Sequence, residues 1–202
     1  MLDPDGQFAD YLSWLIGHID LPRLRVTTER SPLKTNVDKM ARRTYYSCGR
    51  FMQMTRMLAD YGRPIVCFDV DATLQAPVQR LIEHAHGKDL GLIQREPPDS
   101  PWLDVVANIV VANPTAQSSR YFELVRNYVL YFMHRGKLFW HLDQIELYCV
   151  LKMMARYAAA PRVAWIKTEL RETLWHIGQS YGDKMKDERY SRYELGDAGT
   201  PR

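Results

Sequence analysis

Residues 65–71 read Ile-Val-Cys-Phe-Asp-Val-Asp, and this stretch decides the fold class. Its apolar half is rich in β-formers and follows the turn sequence Tyr-Gly-Arg-Pro at 61–64, which is typical of a buried strand. Asp69 and Asp71 come at the carboxyl end of that strand. Because residues i and i+2 of a strand point to the same face, the sequence predicts that the two carboxylates converge.

A convergent pair of carboxylates favours a cation site. Two like charges repel each other unless a cation or a shared proton lies between them. A hard divalent ion, Mn²⁺ or Mg²⁺, together with substrate phosphate oxygens would fill that position. Ligands of open α/β sheets also bind outside the carboxyl ends of the strands. The structural alternative is a solvated turn between the strand and the next loop.

Helical and extended patterns alternate on both sides of this stretch. Apolar side chains recur at helical spacing at Ala41, Tyr45, Cys48 and Met52, which predicts an amphipathic helix over 37–60. Further helices are predicted near 77–86, from Thr115 to Gly136 and from Asp143 to about Tyr157, and further strands over 89–93 and 105–111. Alternating strands and helices indicate an α/β layered domain.

The last predicted helix carries two specific expectations. Asp143 and Glu146 have the spacing of a capping box, in which Asp143 would cap the helix N-terminus. The helix is also apolar nearly all round, which predicts that it is buried.

The length and patterning indicate one domain. A chain of 202 residues is long enough to bury a sizeable core in a single domain. We expect an α/β domain over 37–192, preceded by a poorly patterned N-terminal segment at 1–36 and followed by a loose tail at 193–202.

Composition excludes several classes of protein. The formal net charge of +3 gives no basis for a nucleic-acid partner, and three widely spaced cysteines fit neither a zinc pattern nor a disulfide framework. The most apolar stretch, at 105–112, is far shorter than the roughly 18 residues of a spanning helix. The acidic N-terminus lacks the order of a signal peptide. We therefore expect a cytoplasmic protein without a transmembrane segment, with peripheral attachment to a membrane as an open alternative.

One family resemblance concerns the aspartate strand alone. Residues 65–74 resemble the first motif of haloacid-dehalogenase-like phosphatases, which implies Asp69 as a nucleophile and Asp71 as a general acid/base. Asp183 and Asp187 imitate the late acidic motif of that family. Against this interpretation, that family's first motif opens the domain, whereas 64 residues precede the strand here.

A second resemblance extends over about 40–190. Four segments, in order, resemble the bacterial glycosyltransferase-like domains of the GT-A fold, a nucleotide-diphospho-sugar transferase group. These segments are Tyr45–Phe51 before the Asp-x-Asp strand, the run from Ala107 to Asn113-Pro114-Thr115, Trp140–Gln144, and Trp175–Gly178 with Lys184 beyond it. The resemblance implies a GT-A-like mixed sheet flanked by helices. In that family a nucleotide-binding strand and helix open the domain, so with only 36 weakly patterned residues available we expect an N-terminally incomplete donor site.

The transferase resemblance also implies a role for each candidate residue. Asp69, Asp71 and His176 would hold Mn²⁺ or Mg²⁺, and the metal would stabilise the departing nucleoside diphosphate. Arg50 and Lys184 would contact donor phosphate. Asp143 and Gln144, the candidate catalytic residues, would orient the sugar or the acceptor at a helix N-terminus. The implied activity is transfer of a sugar from a nucleotide-diphosphate donor, most simply UDP-type, to an unknown glycan, lipid or protein acceptor.

Each candidate residue also has a structural interpretation. Asp143 can be a helix cap, and His176 can be a hydrogen-bonded structural histidine beside Trp175. Lys184 lies in a charged run typical of a solvated helix face, and Arg50 can pair with an acid on a neighbouring element. The phosphatase and a catalytically inactive, transferase-like binding domain therefore remain as alternative functions.

Overall fold

The computed structural model describes residues 38–69, 72–74, 76–94, 104–157, 159–167 and 175–177. The N-terminal segment 1–36 and the tail 193–202 lie outside the described residues. The described chain contains five helices and six strands, a mixed α/β architecture in which helices flank a four-stranded mixed sheet. The predicted fold class, a mixed sheet flanked by helices, is therefore confirmed.

The predicted helix over 37–60 is divided into two helices. Helix α1 is Lys39–Met52 and helix α2 is Met54–Tyr61, with the break at Gln53. The carboxylate of Asp38 caps α1 by accepting from the backbone N–H groups of Met40 (2.7 Å) and Ala41 (3.1 Å). Gly62 ends α2 with a φ of 57°, a left-handed conformation that glycine adopts without strain.

The remaining elements follow the predicted order closely. In chain order they are β1 (Ile65–Phe68), β2 (Ala72–Leu74), α3 (Gln79–His84), β3 (Leu90–Gln94), β4 (Val105–Ala112), α4 (Ala116–His134), α5 (Leu142–Tyr157), β5 (Val163–Ile166) and β6 (Trp175–Ile177). Thr115 caps α4 as predicted, in a reciprocal capping box with Ser118. The sequence patterns missed three short strands, β2, β5 and β6.

The main sheet has the order β1-β4-β3-β5. Strand β4 lies antiparallel to both β1 and β3, whereas β5 runs parallel to β3. The two remaining strands form a separate antiparallel pair, in which Thr73 of β2 lies opposite His176 of β6.

The core fills both faces of the sheet. On one face the larger buried cluster joins β3 and β4 to side chains of α1, α2, α4 and α5, among them Phe51, Phe122 and Leu147. On the other face Leu81 of helix α3 and Ala85, just after that helix, pack against the alternate residues of β3, β4 and β5. Such three-layer packing buries both faces of a central strand, and every residue of β4 except Asn108 is buried.

Two predictions about helix α5 are wrong. The helix begins at Leu142, so Asp143 lies in its first turn rather than at the cap. The carbonyl of His141 accepts from the N–H groups of Gln144 and Ile145, both at 3.0 Å, which gives His141 the N-cap position. The helix is also buried along one face only, since its C-terminal turn ends at the exposed Tyr157.

The described residues contain neither a membrane-spanning helix nor a disulfide bond. None of their helices is long and apolar enough to cross a membrane. The three cysteines are free thiols, as expected from their spacing.

Candidate functional site

Asp69 is the first residue after β1, and the sheet fixes its position. Its backbone N–H donates to the carbonyl of Asn108 in β4 at 3.0 Å, which extends the β1–β4 pairing by one residue. Ile65 and Cys67 of β1 pack toward the larger core cluster, on the side of the long helices. Because alternate residues of an extended chain share a face, Asp69 is directed toward the same side.

Arg50 connects Asp69 to a distant part of the chain. Its Nη1 donates to Oδ1 of Asp69, and its Nη2 donates to Oδ2 of Asp143 at 3.3 Å. Arg50 lies in the last turn of α1 and Asp143 in the first turn of α5. The three side chains are mostly buried, so their charges are screened less by water than those of a surface pair. Three residues that the sequence proposed for the site are therefore in contact.

The first turn of α5 holds the Asp143 carboxylate in a defined orientation. Its Oδ1 accepts from the backbone N–H of Gln144 at 3.0 Å, while Arg50 occupies Oδ2. Burial raises the pKa of Asp143 above its usual value, an effect that the positive charge of Arg50 opposes. The side-chain amide of Gln144 lies 3.1 Å from Nδ1 of His141, and its buried Oε1 has no hydrogen-bond partner among the described residues.

Glu146 lies one turn beyond Asp143 and is fully buried. Both of its carboxyl oxygens lack a partner among the described N–H and O–H groups, and its neighbour is the thiol of Cys48 in α1. Burial raises the pKa of Glu146 well above its usual range, and the Asp143 carboxylate adds to this effect. Burial therefore favours the neutral form of Glu146. It faces α1 rather than the first backbone N–H groups of α5, which is why the predicted capping box does not form.

Sequence reasoning gave no separate role to Asn108, which lies beside Asp69. The pairing of β3 with β4 is irregular at one place. Leu92 lies opposite Val110, but the next residue, Ile93, lies opposite Val106, so residues 107–109 of β4 have no direct partner in β3. Such irregularities redirect side chains and are frequent next to active sites. The Oδ1 atom of Asn108 is buried without a hydrogen-bond partner in the described chain. An asparagine within an otherwise apolar strand sequence was the signal that could have identified it.

The Asn-Pro-Thr segment, by contrast, has a structural explanation. The side-chain amide of Asn113 donates to the carbonyl groups of Ala85 (2.7 Å) and Lys88 (2.8 Å), which fixes the turn after α3. The next residues place Thr115 at the cap of α4. These contacts account for the segment without a ligand.

The other predicted site residues are described less fully. Asp71 and Lys184 lie outside the described residues. The backbone of His176 is paired with Thr73, two residues after Asp71, so β6 returns His176 to the chain segment that follows the aspartates. Among the side chains that the structure describes, no group of three metal-binding residues occurs.

The donor set around Asp69 is nevertheless compatible with a hard cation. Arg50 contacts only Oδ1 of Asp69, and no described residue donates to its Oδ2. The unpartnered Oδ1 of Asn108 is a second oxygen of the kind that Mn²⁺ and Mg²⁺ accept. With one positive charge between two carboxylates, the cluster of Arg50, Asp69 and Asp143 also carries a net charge of −1 when both acids are ionised.

Comparison with known proteins does not identify the chain: no protein-family model matches it, and no curated protein sequence is significantly similar to it.

Proposed function

We propose that the chain is a metal-dependent glycosyltransferase that moves a sugar from a nucleoside-diphosphate donor of UDP type to an acceptor hydroxyl. The observation that carries this proposal is the contact of Arg50 with both Asp69 and Asp143. Asp143 lies 93 positions from Arg50 in the chain, and all three residues belong to segments that resemble the GT-A transferases.

The proposal gives the metal a defined set of ligands. Asp69, Asp71 and His176 would hold Mn²⁺ or Mg²⁺, and the pairing of β6 with β2 supports the inclusion of His176. The bound ion would supply Lewis-acid stabilisation of the diphosphate leaving group. Lys184 would add a positive charge toward the same phosphates.

Arg50, Asp143 and Gln144 would provide orientation. The guanidinium of Arg50 holds two carboxylates in fixed positions, and this preorganisation is what a site for a charged donor requires. The Asp143 carboxylate keeps a fixed orientation at the start of α5, and the Gln144 Oε1 is a free acceptor among the described residues. These two groups are suited to bind hydroxyl groups of the transferred sugar or of the acceptor.

The test is release of UDP from a panel of UDP-sugars in the presence of Mn²⁺. We expect turnover by the wild-type chain and a loss of roughly 10²–10³-fold in the Asp69→Asn variant, because the change removes charge from the site at which the leaving group is stabilised. The matched control is Asp60→Asn, which changes an exposed aspartate in α2 that pairs with Arg56 on the surface. Its activity is expected to equal that of the wild type.

Two other outcomes would replace the proposal. Release of phosphate from a simple phosphoester by the wild type, lost in Asp69→Asn, would indicate a phosphatase that uses Asp69 as its nucleophile. Absence of turnover, together with no rise in melting temperature on addition of UDP and Mn²⁺, would indicate a transferase-like binding domain, since a ligand that binds the native state stabilises it.

A further inference from the structure

Exposed aromatic side chains and basic side chains occur together near the start of α5. We call the set Arg43, Tyr131, Arg135, Lys137, Phe139 and Trp140 the aromatic–basic surface; all six residues are exposed. They come from three parts of the chain, namely helix α1, the end of α4 and the connection from α4 to α5.

Ring contacts join two of the exposed aromatic residues of this surface, and an arginine joins the third to helix α1. The ring of Phe132 lies 5.4 Å from that of Tyr131 and 5.6 Å from that of Phe139, measured between centroids. The next residue, Trp140, lies beneath the guanidinium of Arg43 at 5.1 Å. Two exposed aromatic side chains are therefore joined through the half-buried ring of Phe132, and the third, Trp140, directly follows Phe139 in the chain.

The basic groups lie on the aromatic rings. Arg43 covers Trp140, and the guanidinium of Arg135 lies 4.8 Å from the centre of the Tyr131 ring. An arginine in this arrangement packs its carbon chain on apolar surface and keeps its charge toward water. The surface thus combines apolar contact area and positive charge in the same place.

Negative charge is absent from the part of the sequence that builds most of this surface. Residues 124–142 contain Arg126, Arg135 and Lys137 and no aspartate or glutamate. At the start of α1 the carboxylate of Asp38 accepts two backbone N–H bonds, which fixes it at the helix cap. Residues 124–142 therefore carry a net charge of +3, as large as that of the whole chain.

We propose that the aromatic–basic surface docks on a bilayer that contains anionic phospholipids. Trp and Tyr rings prefer the interface between headgroups and acyl chains, and Arg and Lys side chains bind the negative headgroups. Binding of this kind lies along the membrane surface and needs no spanning helix. The inference goes beyond the proposed function and does not depend on sugar transfer.

The position of the surface gives this docking a consequence. Trp140 directly precedes His141, whose ring contacts Gln144 of the candidate site. A membrane on this surface would lie next to the first turn of α5. An acceptor carried by a lipid would then meet the site at the membrane surface.

The experiment is co-sedimentation of the full chain with vesicles, without nucleotide or metal. At low salt we expect binding to phosphatidylcholine vesicles that contain about 30% phosphatidylglycerol, an anionic lipid. We expect no binding to vesicles of phosphatidylcholine alone. The double variant Arg135→Gln/Lys137→Gln is expected to bind about 30-fold more weakly, because each basic side chain near an anionic surface contributes about fivefold. Raising the salt concentration is expected to weaken wild-type binding.

Two further variants separate the aromatic contribution from general charge. Trp140→Ala is expected to weaken vesicle binding and to leave binding to soluble polyglutamate unchanged. A matched control, Arg63→Gln/Arg80→Gln/Tyr157→Ala, removes two exposed basic residues and one exposed aromatic residue outside the aromatic–basic surface and is expected to bind like the wild type.

Three results would overturn the inference. These are no binding to anionic vesicles at low salt, an equal loss of binding in the control variant, and full vesicle binding by Trp140→Ala. The last result would show that the basic residues attract any polyanion without insertion of the aromatic rings. Because the assay contains no donor, its failure leaves the glycosyltransferase proposal to its own test.

Discussion

Arg50 is the residue that joins the parts of the candidate site. It contacts one oxygen of Asp69 and one of Asp143, which belong to a strand end and to a helix start. A lysine has a single ammonium group and would not offer the planar fork that reaches two carboxylates at once. Whatever the ligand is, the arrangement of these three side chains should depend on the guanidinium.

A double-mutant cycle measures how strongly Arg50 and Asp143 are coupled in the free energy of unfolding. We expect Arg50→Gln and Asp143→Asn to be coupled by about 1–3 kcal/mol in the free energy of unfolding, because the two groups are in contact and mostly buried. The measurement is chemical denaturation of the wild type, both single variants and the double variant.

An exposed ion pair serves as the control for that cycle. Arg56 and Asp60 are one turn apart in α2, with 3.4 Å between Nε and Oδ2, and both are largely exposed. Their coupling is expected to be about 0.3–0.5 kcal/mol. Equal coupling in the two cycles would show that Arg50 makes an ordinary surface contact.

Glu146 makes a separate prediction about pH. In the folded chain its pKa is raised well above 4.5, whereas the unfolded chain releases the proton near the ordinary value. Unfolding therefore releases a proton above pH 4.5, and stability falls as pH rises through this window, by up to about 1.4 kcal/mol per pH unit. Glu146→Gln removes the ionisation and is expected to show a shallower decline, so the stability difference between the two proteins should shift in favour of the variant as the pH rises above 4.5.

Denaturation midpoints at several pH values measure this difference. Glu123→Gln is the matched control, since Glu123 is half exposed and pairs with Arg120 on the surface of α4. Its stability should follow that of the wild type within about 0.5 kcal/mol. Parallel profiles for the wild type and Glu146→Gln would contradict a neutral, buried Glu146.

The spacing of Asp143 and Glu146 predicted a capping box, whereas the structure has Asp143 in the first turn of α5 and Glu146 buried in the core. A separation of three places both side chains on one face of a helix. The direction of that face depends on how α5 packs against α1, which no local pattern reports. At a solvent-exposed helix end this spacing gives a capping box. Where another helix packs on that end, the same spacing gives a buried acid, here Glu146 beside Cys48 of α1.

At the scale of elements, the close approach of β3 to its neighbours depends on a missing side chain. A Cβ atom added to Gly91 would lie 3.0 Å from the Cβ of Val111 in β4 and 3.3 Å from the Cβ of Ala85 after α3. Gly91→Ala is expected to destabilise the chain by about 1–3 kcal/mol, because both neighbours belong to the packed core. Thermal and chemical denaturation measure the change.

Gly49 provides the opposite case. It lies inside α1, and no heavy atom outside its own helix lies within 4 Å of the Cβ that alanine would add. Gly49→Ala is expected to stabilise the chain by about 0.5–1 kcal/mol through better helix propensity. A similar effect of both substitutions would mean that the space around β3 is not tight.

The elements that sequence patterns predicted are the long or well-bounded ones. Helix α4 has Thr115 before it and Gly136 after it, and β4 is a run of eight residues, apolar except for Asn108, of a length that suits a central strand. The missed strands β2, β5 and β6 have three or four residues each, too few to show a period. Their pairing depends on distant partners, so their sequences alone carry little signal.

At the scale of the whole molecule, the layered α/β class followed from the alternation of elements, but the strand order did not. Strand β1 could have paired with either of its near neighbours in sequence. It pairs instead with β4, where Ile65 lies opposite Ala112. Local patterns fix which face of a strand is apolar, whereas the choice among apolar partners is made by packing of the complete core.

The candidate site shows the same limit. The aspartate strand pointed to Asp69 directly, because two acids at positions i and i+2 after an apolar run predict convergent carboxylates at a strand end. The partner of Asp69 was open, since Arg50 had both a phosphate-binding and an ion-pairing interpretation. The structure describes the ion pair, and the phosphate role stays a prediction.

The long separation between contacting residues has a kinetic consequence. Arg50 and Asp143 are 93 positions apart, and β1 meets β4 only after some forty intervening positions have been closed into a loop. Contacts between distant positions form slowly, because the chain loses the entropy of loop closure before the contact contributes any favourable free energy. We therefore expect the helices to form early and the three charged groups to meet late in folding. A newly synthesised chain would then contain its helices before the cluster of Arg50, Asp69 and Asp143 is assembled, and so before the candidate site can bind a ligand.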